Sequence, residues 1–266
     1  MTEQSIGKLF VAGIVPGLMI AALFMAAIRI VCRLRPGLAP PAAAATWRER
    51  FRSLSGAIEI LLLFALVMGG MFAGWFTPTE AAAIGAAGSV ALALASRKCS
   101  FRMLATAMDE TLRTSCMVLA IVAGATVFGH FLQVTNVPAE LASWMAGLPL
   151  PPWGIMLAVI FFYLVASMFL DALALVMLTI PIFYPVVVGL GYDPIWFGVI
   201  IVLVTQMGVI TPPVGVNVYV VSGMDRGVSL QDVFKGALPF LAALIAAALL
   251  LVAFPGIATA PAGWVK

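Results

Sequence analysis

Long apolar runs follow one another along this chain with hardly a charged residue inside them. That pattern settles the solvent before anything else. Leu9–Val31 is long enough to cross a hydrocarbon layer of ~30 Å at ~1.5 Å per helical residue. It is too long for a signal-peptide core and lacks a cleavage signal, so it is expected to be a retained helix. Ala57–Phe76, Ala81–Ala95, Thr114–Gln133, Trp153–Leu170, Ala172–Leu190, Ile195–Ile210 and Gly236–Phe254 follow, with a short piece after Pro213. This gives about seven to nine membrane segments, several of them shorter than the ~20 residues of a straight span. The ~10-residue alternation of a membrane barrel is absent. An all-α polytopic membrane protein is the expected fold class. Composition agrees: 64% of the 266 residues are hydrophobic and 9% are charged, against roughly 25% charged in a soluble domain. Fourteen basic and eleven acidic residues cannot clothe a soluble core of this size, which excludes a soluble enzyme, a nucleic-acid binder and a disordered chain. Cys32, Cys99 and Cys116 have no CxxC spacing, and His130 is the single histidine. No zinc, haem or thiol-redox centre can be built from that stock, and free thiols are expected.

Charge sets the expected orientation. Arg33, Arg35, Arg48, Arg50 and Arg52 oppose a single Glu49 in the connection from Cys32 to Gly56, and Arg29 extends it into the helix end. The positive-inside rule places that loop in the cytoplasm. Arg97, Lys98, Arg102 and Arg113 mark a second basic loop two segments later, so both loops can face the same side. Arg226 and Lys235 mark a third, leaving the N-terminus and Lys266 outside.

Breaks inside the apolar runs carry the functional signal, because irregular backbone at membrane depth is tolerated only where it lines a cavity or is buried in protein. The first is Gly74–Ala81, where Thr77-Pro78-Thr79-Glu80 is a capping box with proline at the first helical position. Capping alone explains every residue there. The second is Ser167–Ala172, with Asp171 in the middle of an otherwise uncharged stretch. An aspartate at the centre of a membrane helix costs ~2.5–3.5 kcal/mol on insertion scales. It either caps the half-helix running to Pro181 or serves cation or proton binding. The third is Gly208–Asn217, where Pro212 and Pro213 remove two backbone donors and leave the preceding carbonyls unpartnered. Carbonyls of that turn with the Thr211 hydroxyl can surround a small hard cation, and Asp171 is expected to face this break. Gly-x-x-Thr-Pro occurs at both Gly74–Pro78 and Gly208–Pro212. Gly70 and Gly74 have GxxxG spacing and read as a helix-packing seam. His130, with Gln133, Thr135 and Asn136 before Pro138, reads as a structural residue at a helix tip.

At these motifs the sequence resembles the large membrane subunit of tripartite ATP-independent periplasmic (TRAP) transporters. Gly13-Ile14-Val15-Pro16-Gly17, Gly74–Ala82, Phe169-Leu170-Asp171, Gly191-Tyr192-Asp193-Pro194 and Gly208–Gly215 carry the resemblance. It implies one inverted repeat of an elevator-type transporter with broken and re-entrant helices. It implies import of organic carboxylates (C4-dicarboxylates, keto acids or sialic acid) coupled to Na⁺, with no organic cofactor. The implied partners are a small membrane subunit and a periplasmic solute-binding protein, and the implied location is the bacterial inner membrane. The implied Na⁺ ligands are Ser167, Asp171, Gly208, Thr211 and Val214, with Thr205, Gln206 and Asn217 on the substrate. Ser167 stands where the family often has glycine. The chain starts where the middle of the family's large subunit is expected, so a first repeat with its own hairpin would lie on a missing N-terminal half. A truncated gene, a split gene product and a fragment all fit. The expected organisation is a first membrane helix over 1–32, a basic cytoplasmic loop over 33–56, scaffold-like helices and an amphipathic connection over 57–113, a transport half over 114–223, and a terminal helix and tail over 224–266. The rival readings are a non-transporting remnant or interaction subunit of the same fold, and a membrane-embedded enzyme. Against the enzyme, the chain carries no HExxH, GxSxG or paired intramembrane Asp motif, and no P-loop for ATP-driven transport.

Overall fold

A computed structural model describes residues 4–38, 46–49, 58–97, 99–224 and 229–263. Arg50, Arg52, Lys98, Arg226 and Lys266, which the orientation argument uses, lie outside the described residues. The described residues are helical throughout, without a strand. In chain order the helices are α1 (Ile6–Ala12), α2 (Ile14–Leu34), α3 (Ile58–Phe72), α4 (Pro78–Ala95), α5 (Phe101–Val134), α6 (Val137–Ala146), α7 (Pro152–Ser167), α8 (Ala172–Gly189), α9 (Pro194–Ile210), α10 (Val216–Met224), α11 (Leu230–Ala253) and α12 (Gly256–Ala262). Five helical stretches are long and apolar enough to cross a membrane: Ile6–Leu34, α4, α5, α8 and α11. The helices α3, α7 and α9 are apolar but shorter.

The chain divides into two compact units, residues 39–118 and residues 1–38 with 119–266. In the first, α3 and α4 form an antiparallel pair. The expected capping box starts α4: Thr77 N–H donates to Glu80 Oε2 at 2.8 Å, and Glu80 N–H donates back to Thr77 Oγ1 at 3.3 Å. Gly88 lets Leu63 of the facing helix lie directly on the α4 backbone. The glycine seam is corrected: Gly74 has a φ of +75° in the turn, and the ring on Gly70 is Phe76 from that same turn. Helix α5 runs unbroken from Phe101 to Val134, through the end of the stretch 57–113 expected to hold scaffold-like helices and an amphipathic connection.

The second unit is built around α9. Trp196, Phe197, Ile200, Val204 and Met207 are fully buried, and α9 packs on α1, α7, α8, α11 and α12. An indole in lipid needs an acceptor. Trp196 Nε1–H gives its hydrogen to the Leu251 carbonyl of α11 at 2.8 Å. Helices α7 and α8 form a hairpin whose arms meet at an aromatic cluster, with Tyr163 and Phe183 centroids 5.5 Å apart. The Tyr163 and Thr179 hydroxyls are 2.6 Å apart, and the Thr179 hydroxyl also reaches the Leu175 carbonyl at 2.7 Å. Two hydroxyls buried among apolar rings thus satisfy each other. Helix α2 closes on α11, where Phe24 and Phe240 meet edge to face at 5.2 Å.

Candidate functional site

Both expected breaks in this second unit are present. The hairpin turn separates Ser167, the last residue of α7, from Ala172, the first of α8. The double proline ends α9 at Ile210, and α10 begins at Val216. Pro212 and Pro213 have no N–H to return to the carbonyls of Gly208 and Val209. Thr211 covers part of the gap. Its hydroxyl donates to the Met207 carbonyl at 2.5 Å and its N–H to the Gly208 carbonyl at 3.1 Å. Gly215 turns the chain into α10 with a φ of +52°, in the left-handed region that glycine adopts freely.

The two breaks touch at one place. A Cβ built on Gly208 would fall on the Ser167 main chain and Oγ. Glycine at 208 is therefore what lets the hairpin tip lie against the end of α9. Ser167 is buried, with its hydroxyl donating to the Leu164 carbonyl at 3.0 Å, and Thr211, bonded to the Gly208 carbonyl, is buried as well. Ser167, Gly208 and Thr211 thus belong to one buried oxygen-rich junction.

Asp171 is placed differently. It is exposed, and Oδ1 accepts from the N–H groups of Leu173 and Ala174 at 2.9 and 3.2 Å, which makes it the N-cap of α8. Its placement towards the Gly208–Asn217 break is corrected to this capping role: the hairpin residue on Gly208 is Ser167. The side chain of Val214 is 42% exposed, which corrects the expectation that it faces the interior. Thr205 is buried with its hydroxyl on the Ile201 and Val202 carbonyls of its own helix. Gln206 and Asn217 do converge: both line a cavity of about 580 Å³ bounded by Leu9, Gly13, Phe24 and Phe240. Two carboxamides on otherwise apolar walls suit an organic ligand with one polar end. Among the described residues there is no cluster of His, Cys, Asp or Glu able to hold a metal. Hydroxyl and carbonyl oxygens at the α9 break suit a hard monovalent cation over a transition metal.

The whole chain up to Gly256-Ile257 matches one family, described as "Tripartite ATP-independent periplasmic transporter, DctM component", over residues 1–257. The chain belongs to this family. Similar TRAP proteins include the C4-dicarboxylate large permease DctM of Pseudomonas aeruginosa, 37% identical over 99% of this chain and 61% of the relative. The sialic acid large permease SiaM of Vibrio cholerae is 33% identical over 96% of this chain and 59% of the relative. The ectoine large permease TeaC of Halomonas elongata is 32% identical over 97% of this chain and 60% of the relative. The chain spans about 60% of the length of the TRAP relatives it matches. Each of them is named as a permease and none as an enzyme. As a TRAP permease homologue with several apolar helices, the chain is a multi-pass membrane protein.

The sequence missed two helices, α6 and α12. Pro138 in the first turn of α6 was a usable start signal, since proline is favoured there. Pro255 immediately precedes α12, at its N-cap position.

Proposed function

We propose that this chain is the C-terminal part of a Na⁺-coupled TRAP large permease. It works in a bacterial inner membrane and imports an organic carboxylate delivered by a periplasmic binding protein, with a small TRAP membrane subunit as partner. The observation that carries this reading is the junction of Ser167 and Gly208, where the proline-broken end of α9, held by Thr211, meets a hairpin tip. A cation held by those oxygens places positive charge near a carboxylate, so each stabilises the binding of the other. Gln206 and Asn217 contribute the polar end of the substrate cavity. Asp171 acts on the site through α8, as its cap. The Val214 contribution is through its backbone carbonyl. Relatives of nearly equal similarity are named for C4-dicarboxylate, sialic acid and ectoine. Permease similarity therefore separates substrates poorly, and the carboxylate class is as far as the reading goes. Alternating access in an elevator needs a complementary repeat, which the part of a large permease that this chain does not span would supply.

The test is uptake into proteoliposomes with the binding protein and small subunit present. Na⁺-driven uptake of succinate or sialic acid should require co-expression with a separate N-terminal half. Thr211→Ala should then weaken the Na⁺ dependence more than the maximal rate. Uptake by the 266-residue chain without that half would overturn the division of labour proposed here. Absence of uptake in every combination would favour a non-transporting interaction subunit of the same fold.

A further inference from the structure

A second cavity of about 600 Å³ lies in the same unit, away from the α9 break, between the end of α5, the start of α6 and the middle of α8. Its walls carry His130, Gln133 and Asn136, with Tyr184 opposite and Pro181 and Pro185 beside it. None of the lining residues is acidic, lysine or arginine. The Thr126 hydroxyl is committed to the Val122 carbonyl at 2.8 Å. Both prolines lack an N–H, so α8 offers no backbone donor at those two positions. The Tyr184 hydroxyl accepts from Gln4 Nε2 at 3.3 Å, which turns its own hydrogen towards a further acceptor. The side chains of His130, Gln133 and Asn136 hold no hydrogen bond to another described residue, and Asn136 does not cap α6 although it precedes it.

We propose that this cavity binds an oxyanion, the carboxylate or phosphate of an organic ligand, through His130, Gln133, Asn136 and Tyr184. Two carboxamides, a phenol and an imidazole give N–H and O–H donors in several directions, and oxyanions accept along several directions at once. No carboxylate lines the cavity to repel an anion. The titratable groups of the three walls at this level are His130 on α5, Tyr184 on α8 and Glu140, which follows Ala139 in the first turn of α6 and is exposed to solvent. Glu140 is not part of the cavity lining. The cavity shares no lining residue with the one holding Gln206 and Asn217. The proposal is therefore independent of the Na⁺ reading.

The single histidine makes the test direct, because one imidazole resonance reports the site without assignment. The full chain is labelled at histidine, purified without a histidine tag in maltoside micelles, and titrated with succinate, with inorganic phosphate, and separately with phosphatidylglycerol. A saturable shift of the His130 resonance is expected with succinate or with phosphate. A response to phosphatidylglycerol alone assigns the oxyanion to a lipid headgroup, and a response to the soluble acids assigns it to a free ligand. Gln133→Leu with Asn136→Gly should abolish the shift while leaving the thermal midpoint close to that of the parent, since glycine keeps the φ of +54° that Asn136 has. No shift with any of the three probes overturns the proposal. So does a shift that survives the double substitution, or one that appears in Na⁺ but not in K⁺ buffer, which would assign it to the transport site.

Discussion

Gly208 has no room for a side chain at the junction. A methyl group there meets the main chain of Ser167, which cannot swing aside as a long side chain would. Gly208→Ala is expected to lift the hairpin tip from the end of α9 and lower stability by about 1–3 kcal/mol, the usual cost of overpacking. It should also erase any thermal stabilisation by Na⁺ over K⁺. Thermal unfolding in the two salts checks both effects, and an unchanged melting point would mean the hairpin does not rest on Gly208. The Tyr163–Thr179 pair gives a second test. Tyr163→Phe leaves Thr179 its bond to the Leu175 carbonyl and removes only the bridge between the hairpin arms. A loss of about 1 kcal/mol is expected, with non-additive behaviour in the cycle with Thr179→Val. The closeness of the Thr211 oxygen to the carbonyls of the preceding turn was legible, because a hydroxyl one residue before the prolines has a carbonyl within reach. The directions of Thr205 and Val214 were not. Helix α9 is buried nearly all round, so polarity gives no phase that separates Thr205 from Gln206. Val214 follows two prolines in irregular backbone, where no helical period fixes a side chain's direction.

Among elements, the α3–α4 pair shows what local sequence can specify alone. Its turn is closed by the Thr77–Glu80 capping box and by Phe76 folded onto Gly70. Thr77→Ala should cost about 1 kcal/mol of local stability. Hydrogen exchange at the amides of Thr79 and Glu80 should quicken, with little change in α9, and protection unchanged at both would show the cap to be dispensable. The breaks themselves were readable because proline and glycine act on the backbone directly. The packing seam was misread because GxxxG assumes two helical glycines, and Gly74 is left-handed. At α5 the polar residues from Arg102 to Arg113 belong to the stretch read as an amphipathic connection. They are the polar side of one continuous helix, its i,i+4 pair Arg113–Asp109 closed at 2.9 Å.

For the molecule as a whole, sidedness follows from charge, and it can be checked with native thiols. Cys32 and Cys99 flank the two basic connections, and Trp75, 71% exposed, sits in the turn between α3 and α4. In spheroplasts an impermeant maleimide added outside should label Trp75→Cys in a cysteine-free background and leave Cys32 and Cys99 unlabelled until the membrane is opened. Outside labelling of Cys32 would reverse the orientation. Fold class and family were both legible at this scale, since apolar length and the two proline breaks are long-range patterns. The pairing of α2 with α11 was not, because nothing in either helix names its partner.

That pairing has a consequence for synthesis. Nearly two hundred residues separate the end of α2 from the start of α11. At ~5–20 residues per second, a ribosome needs roughly 10–40 s to deliver the second helix after the first has left it. Throughout that interval α2 must persist in the bilayer with lipid alone on the face that Phe240 later covers. Its 21 residues, uncharged until Arg29, allow it to wait. A polar residue placed on that face would therefore impair biogenesis during translation as well as the finished protein.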